Sequence, residues 1–168
     1  MTTVLIVGHG LSGAVLSHTL LAQGLDVSCI DCQMEHAASP VGAGLINPFI
    51  GPKLNLPEDF DACLDVNEVF FREWGKRSGR KIYNAEYLTR IFKNRKQASK
   101  WHLLEQKNSS SRFAISFISN DELIDMGITA SFGAGRTKAY RLNIQQFLKL
   151  SKDELVSQGR FEQNLFTE

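Results

Sequence analysis

The chain has 168 residues, of which 43% are hydrophobic and 22% charged, and carries a formal net charge of +1. That length holds one domain or one and a half small ones, and the composition is that of an ordinary folded soluble chain. The near-neutral charge excludes a general attraction to nucleic acid or acidic membranes, and no apolar run approaches the ~20 residues of a membrane span. The opening Met-Thr-Thr lacks the basic region and apolar core of a signal peptide, so a cytoplasmic address is expected by default.

In chain order, Val4 to Val7 is a short, fully apolar, β-branched run with the character of a central parallel strand. Leu11 to Gln23 reads as a helix, with Val15, Leu16, Thr19, Leu20 and Gln23 near helical spacing. Gly24 supplies its C-terminal stop, and Asp26 to Asp31 is a second strand. The result is a βαβ unit with tight connections.

Residues Gln33 to Pro57 are dense in glycine and proline, which forbids a long helix. Val41, Leu45, Ile46, Phe49 and Ile50 make the segment too apolar for a disordered linker. An ordered loop is expected, with Ala38 to Pro48 lying against the turn at Gly8 to Gly13. A helix follows from Pro57 to about Arg77, with Phe60, Leu64, Phe70, Phe71 and Trp74 as its core stripe. Lys81 to Phe92 reads as a strand, and Arg95 to Gln106 as a helix around Trp101, Leu103 and Leu104. The basic cluster from Lys93 to Lys100 is a solvated helix face.

Lys107 to Arg112 is a polar loop. Phe113 to Ile118 alternates like a strand, and Asp121 to Met126 is a short helix. Ala130 to Leu142 is extended, with a bend at Gly133 to Gly135. Asn143 caps a helix to about Ser157 that Gly159 ends, and Phe161 to Phe166 is a last strand. There is no internal repeat.

The three cysteines give no disulfide framework. Cys29 and Cys32 form a C-x-x-C, but residues three apart on a strand face opposite sides. They read as small buried residues, and Cys63 as another. No Cys/His spacing points to a metal site.

Gly8, Gly10 and Gly13 make G-H-G-L-S-G between a strand and a helix, the context in which that motif has meaning. Gly8 permits the tight turn, Gly10 lets backbone approach a pyrophosphate, and Gly13 lets the helix pack close to the strands. The helix N-terminus offers N–H groups and partial positive charge to phosphates. Asp31 falls 18 residues after Gly13, near the ~20 expected for the acid that binds a ribose hydroxyl, and disfavours a 2′-phosphate. His9 reads as a solvent-facing or phosphate-neighbouring loop residue, and His36 and His102 give no catalytic signal.

The stretch "VLIVGHGLSG", Asp31, and "ASPVGAGLINPFIG" from Ala38 to Gly51 resemble the start of flavoproteins of the D-amino-acid oxidase and glycine oxidase family. "ITASFGAGRTKAYRLNIQQFLKL", from Ile128 to Leu150, resembles the family's passage from a substrate-side strand into a helix of the FAD domain. The resemblance implies an α/β fold: a Rossmann-like FAD/NAD(P)-binding βαβ domain with part of an inserted α+β substrate domain. The expected segments are 1–78 and 143–168 for the FAD-binding part and 79–142 for the substrate part. It further implies FAD as cofactor. Ser39 and the backbone of Gly42, Ala43 and Gly44 would lie along the pyrophosphate, with Leu45 and Ile46 approaching the flavin. The candidate cofactor contacts are therefore Gly8, Gly10, Leu11, Ser12, Gly13, Asp31, Cys32, Ser39, Gly42, Ala43, Gly44 and Leu45.

The family's chain runs well beyond this length, so the resemblance covers an N-terminal portion, expected to have weak or no oxidase activity alone. No catalytic residue is assigned, because hydride transfer to a flavin is performed by the cofactor. Arg136 and Arg141 could meet a substrate carboxylate, although surface arginine is the simpler reading. A small amine or amino acid is the expected substrate. Self-association through an open sheet edge is a further expectation. The alternatives are a non-catalytic dinucleotide-binding or interaction module and, with less support, an NAD-dependent dehydrogenase.

Overall fold

The fold is described from a computed structural model, for residues 3–34, 37–51, 53–107 and 112–166. His36 lies outside these residues. The chain divides into two compact units. Unit 1 comprises residues 1–44, 74–82 and 142–168, and unit 2 residues 45–73 and 83–141. The cuts fall at other positions than those of the segments 1–78, 79–142 and 143–168. One cut lies inside a helix, which no composition change marks.

Unit 1 opens with β1 (Thr3–Val7), α1 (Leu11–Ala22) and β2 (Asp26–Ile30), the expected βαβ start. β1 and β2 pair in parallel with Ile6 opposite Cys29. Gly24 ends the helix at φ +79°, a conformation glycine takes without a Cβ penalty. β7 (Phe161–Glu162) pairs in parallel with the other edge of β2, giving the order β1-β2-β7. α6 (Ile144–Ser157) leads into it, capped by the side chain of Asn143 accepting from the Gln146 N–H. Ile6, Val27, Cys29 and Leu155 form the core of this unit.

Four expectations change here. β1 is an edge strand among the described residues rather than a central one, and Leu5 and Val7 are 53% and 57% exposed. The buried face of α1 is Ala14, Ser17 and His18, while Leu16 and Thr19 are exposed. Small and hydrogen-bonding side chains suit its close approach to neighbours: a Cβ on Gly13 would stand 2.0 Å from the Gly8 carbonyl oxygen. The last strand stops at Glu162, not Phe166. Cys32 and Cys63 are exposed, and only Cys29 is buried; Cys32 lies just past the strand, and Cys63 on the outer side of its helix.

The Gly/Pro-rich segment is ordered in its described part, with a short helix α2 (Ala38–Val41) and a two-residue strand β3 (Leu45–Ile46). α3 (Phe60–Ser78) crosses from unit 2 into unit 1 at Trp74. In unit 1, Trp74 meets His18 and Phe147 edge-on.

Unit 2 is built on a four-stranded sheet in the order β3-β6-β4, with β5 also paired to β6. Here β4 is Tyr83–Ile91, β5 Ser116–Ile118 and β6 Ala134–Leu142. β6 runs antiparallel to both β3 and β5. Phe49, Leu64, Phe92, Trp101, Phe113 and Tyr140 are central to the core. α4 (Arg95–Lys107) supplies Trp101, while its Leu103 is exposed. Gly135 lets β6 pass directly beneath the Trp101 ring. α5 (Asn120–Asp125) carries a full capping box between Ser119 and Glu122. Phe113 to Ile118 is strand only from Ser116, because Ala114 sits at φ +44°.

Candidate nucleotide-binding site

β1 ends at Val7, and the chain turns at Gly8, whose φ of +99° lies where L side chains are strained. The Gly8 N–H donates to the Ile30 carbonyl at 2.8 Å, joining the turn to the end of β2. α1 starts at Leu11 with Gly10 as its N-cap and no side-chain cap from that residue. Leu11, Ser12 and Gly13 form its first turn, where main-chain N–H groups lack intrahelical acceptors. The turn and helix are thus placed as the motif requires. Gly13 is there for contact: any side chain would enter the Gly8 carbonyl.

Asp31 stands beside the turn. Its Oδ2 accepts the main-chain N–H of His9 at 2.5 Å, and its Oδ1 accepts that of Gln33 at 2.6 Å. Each carboxylate oxygen retains a second lone pair for another donor. Ser39, on α2, turns its Oγ to the start of α1, accepting the Leu11 N–H at 3.1 Å. A Cβ on Gly10 would lie 3.0 Å from that oxygen. The loop and the turn therefore meet, at Ser39. The exposed Gly42 follows, where an added Cβ would meet Ile144 at 3.1 Å. Gly44, at φ +66°, packs on the Leu142 carbonyl. Ala43 is exposed. Leu45 belongs to unit 2, where it pairs with Arg141.

A cleft of about 390 Å³ opens in unit 1 against this turn. Gly10 and Asp31 line it, and α6 contributes Gln145, Leu148, Lys149 and Lys152. Those four positions follow i, i+3, i+4 and i+7 spacing, one face of a helix. They were not singled out in the sequence, since spacing on one helix does not reveal which distant turn it faces.

His9 is neither solvent-facing nor loose. It is 9% exposed, with its ring edge-on to Phe161. Its Nε2 lies 2.8 Å from Ser151 Oγ, and Nε2 of His18 lies 2.9 Å from the same oxygen. Burial lowers the His9 pKa most, with Asp31 opposing and Lys152 reinforcing that shift. Burial, then Arg77 and His9, push His18 down from 6.5 to about 4. Cys29 is driven up to about 11 by burial, the state of an unreactive thiol. With Cys32 exposed, the C-x-x-C spacing does not pair the two side chains in one environment.

The strand, glycine turn, helix and acid define the dinucleotide-binding class of α/β fold. The chain shares its fold with glycine oxidase from Bacillus cereus (TM-score 0.75, 17% identity, all of this chain and 49% of that one). The same holds for L-amino acid deaminase from Proteus vulgaris (TM-score 0.70, 18% identity, all of this chain and 42% of that one). L-α-glycerophosphate oxidase from Mycoplasma pneumoniae, determined with FAD bound, matches at a TM-score of 0.66 and 16% identity over 96% of this chain and 44% of that one. The chain thus spans less than half the length of these structures. No family model matches the sequence. No curated protein matches it either.

Proposed function

We propose that unit 1 holds the ADP half of FAD and that the chain serves a flavin-dependent oxidoreductase acting on a small amine or amino acid. The observation that carries this reading is the junction of Asp31, the Gly8–Gly13 turn and Ser39 at the edge of one cleft. The residues present fit the group. Gly10 bares backbone where a pyrophosphate would pass, and the open first turn of α1 and the Lys149 and Lys152 ammoniums favour negative charge. Asp31 would accept from a ribose hydroxyl, and its charge repels a 2′-phosphate.

A flavin held here would supply the hydride acceptor for substrate oxidation, with reoxidation by a second substrate such as dioxygen closing the cycle. The chain's own residues bind and orient. Ser39 could donate its O–H to phosphate while still accepting the Leu11 N–H, the lining Leu148 would give apolar contact, and Gln145 a neutral hydrogen bond. The names of the similar solved structures, two of which act on amino acids and one of which holds FAD, support the substrate and cofactor classes. The backbone from Gly42 to Gly44 would lie along the pyrophosphate, as the family resemblance implies. A cytoplasmic address completes the proposal; no helix among the described residues is long and apolar enough to cross a membrane.

The test is a titration of the purified chain with FAD, ADP and NADPH, followed by calorimetry. FAD and ADP should bind with similar contributions from the ADP portion, and NADPH should bind more weakly. Preference for NADPH, or equal affinity after Asp31→Ala, would remove the basis of the assignment.

A further inference from the structure

The bridge between His9, Ser151 and His18 has no part in the dinucleotide motif, yet it joins the turn to two helices. His9 is in the turn, His18 is on α1 and Ser151 is on α6, all within unit 1. All three are buried. We propose that Ser151 is a positioning residue for the nucleotide turn: its hydroxyl bridges the two imidazoles, so that His9 and the turn backbone keep one setting.

A serine hydroxyl has one proton to donate. Two ring nitrogens converge on it at 2.8 and 2.9 Å. The hydroxyl proton stays in the bridge only when one ring donates to Ser151 and the other accepts from it, so with both rings neutral the bridge sets opposite tautomers. A proton added to Nδ1 of the donating ring leaves the bridge whole. A proton added to the accepting ring turns both Nε2–H groups toward one oxygen and strands the hydroxyl proton. The bridge therefore keeps its hydroxyl proton with one added proton and loses it at the second.

The surroundings decide which ring takes an added proton. His9 faces the Asp31 carboxylate and Lys152, with Phe161 edge-on. His18 faces Arg77 and the edge of Trp74, and Arg77 is itself paired with Glu154 at 3.0 Å. The acid beside His9 favours charge there, and the guanidinium beside His18 opposes it. His9 is thus the ring that takes an added proton more readily. His9 is then held at both ends, its main-chain N–H by Asp31 and its ring by Ser151. Releasing the ring frees the residue between Gly8 and Gly10, at the point where the turn would meet phosphate.

The consequence for ligand affinity rests on the FAD reading, whereas the bridge does not. The experiment therefore has two arms on the full chain. The first records the ring ¹⁵N shifts of both histidines at neutral pH without nucleotide. Opposite tautomers are expected in the parent chain and in Ser151→Thr, and loss of the fixed pattern in Ser151→Ala. Identical tautomers, or a pattern unchanged in Ser151→Ala, overturns the bridge. The second arm titrates FAD and ADP from pH 5 to 8. Ser151→Ala should bind about tenfold more weakly, the loss expected for one net hydrogen bond, with a changed pH profile, and Ser151→Thr should restore both. Equal affinity and profile in Ser151→Ala overturns the positioning role. A parent chain that binds neither nucleotide overturns the FAD reading and the positioning role with it, while the tautomer pattern still decides the bridge. If Ser151→Ala fails to fold, His9→Phe, which keeps an edge-on ring but removes the nitrogen that meets Ser151, takes its place in the second arm: an about tenfold loss supports the positioning role, and unchanged affinity overturns it.

Discussion

The carboxylate of Asp31 accepts the main-chain N–H of His9 at 2.5 Å, so the acid that follows β2 is fastened to the turn that follows β1. The acid would thus meet a ribose and also hold the peptide next to the phosphate site. Asp31→Ala should therefore cost both binding and stability. The orphaned N–H groups of His9 and Gln33 predict a loss of about 1–3 kcal/mol in unfolding free energy. Asp31→Asn keeps an acceptor and should recover most of the stability but little of the affinity. Denaturant melts and FAD titrations of the two variants would separate the roles; equal losses in both would refute the division.

Gly10 and Gly13 should fail in different ways. A methyl on Gly13 meets the Gly8 carbonyl oxygen at 2.0 Å, a backbone atom that cannot move without opening the turn. Gly13→Ala should lower stability by about 1–3 kcal/mol or more, as overpacking does. At Gly10 the nearest atom is Ser39 Oγ, the end of a side chain that can rotate. Gly10→Val should leave the melting temperature nearly unchanged and abolish nucleotide binding by occupying the phosphate path. Full FAD affinity in Gly10→Val would show that no phosphate passes there.

The glycine turn was legible in the sequence because all its determinants are local: Gly8, Gly10, Gly13 and Asp31 lie within one short stretch. The family resemblance singled out Ser39, and the structure sets its hydroxyl against the start of α1. The buried side of α1 was not. Leu16 looks like core yet is exposed, while His18 looks polar yet is buried, because its partner Ser151 is 133 residues away. Lys149 and Lys152 were missed for the same reason. The shortened strand at Ser116 follows from one backbone angle, at Ala114, that an alternating pattern does not reveal.

Stability should rise with pH between about 4 and 6.5 because of His18. Its folded pKa is lowered to about 4 from 6.5, so over that window the unfolded chain binds the proton that the folded chain excludes. Unfolding is therefore favoured as pH falls from 6.5 toward 4, and the contribution levels off below that. One proton gives a slope of at most about 1.4 kcal/mol per pH unit. His18→Gln should flatten this part of the profile in urea melts at successive pH values. An unchanged slope would mean that His18 is charged in the folded protein or exchanges freely with solvent.

In unit 2 the decisive contact is between Gly135 and Trp101. A Cβ at position 135 would stand 2.1 Å from the indole, and the ring cannot easily withdraw, because its Nε1–H donates to the Ser116 carbonyl at 2.9 Å. Ser116 is itself paired to Arg136, so the donor, the acceptor and the glycine form one closed patch of α4, β5 and β6. Gly135→Ala should cost about 1–3 kcal/mol by displacing the ring. Trp101→Leu should cost roughly 2–5 kcal/mol through lost burial and a cavity. The two should not add. With the indole gone, the new methyl fills part of the space that Trp101→Leu leaves, so the double variant should be more stable than the sum predicts by about 1 kcal/mol or more. Denaturant unfolding of the four chains measures that coupling directly; strict additivity would place the two residues out of contact.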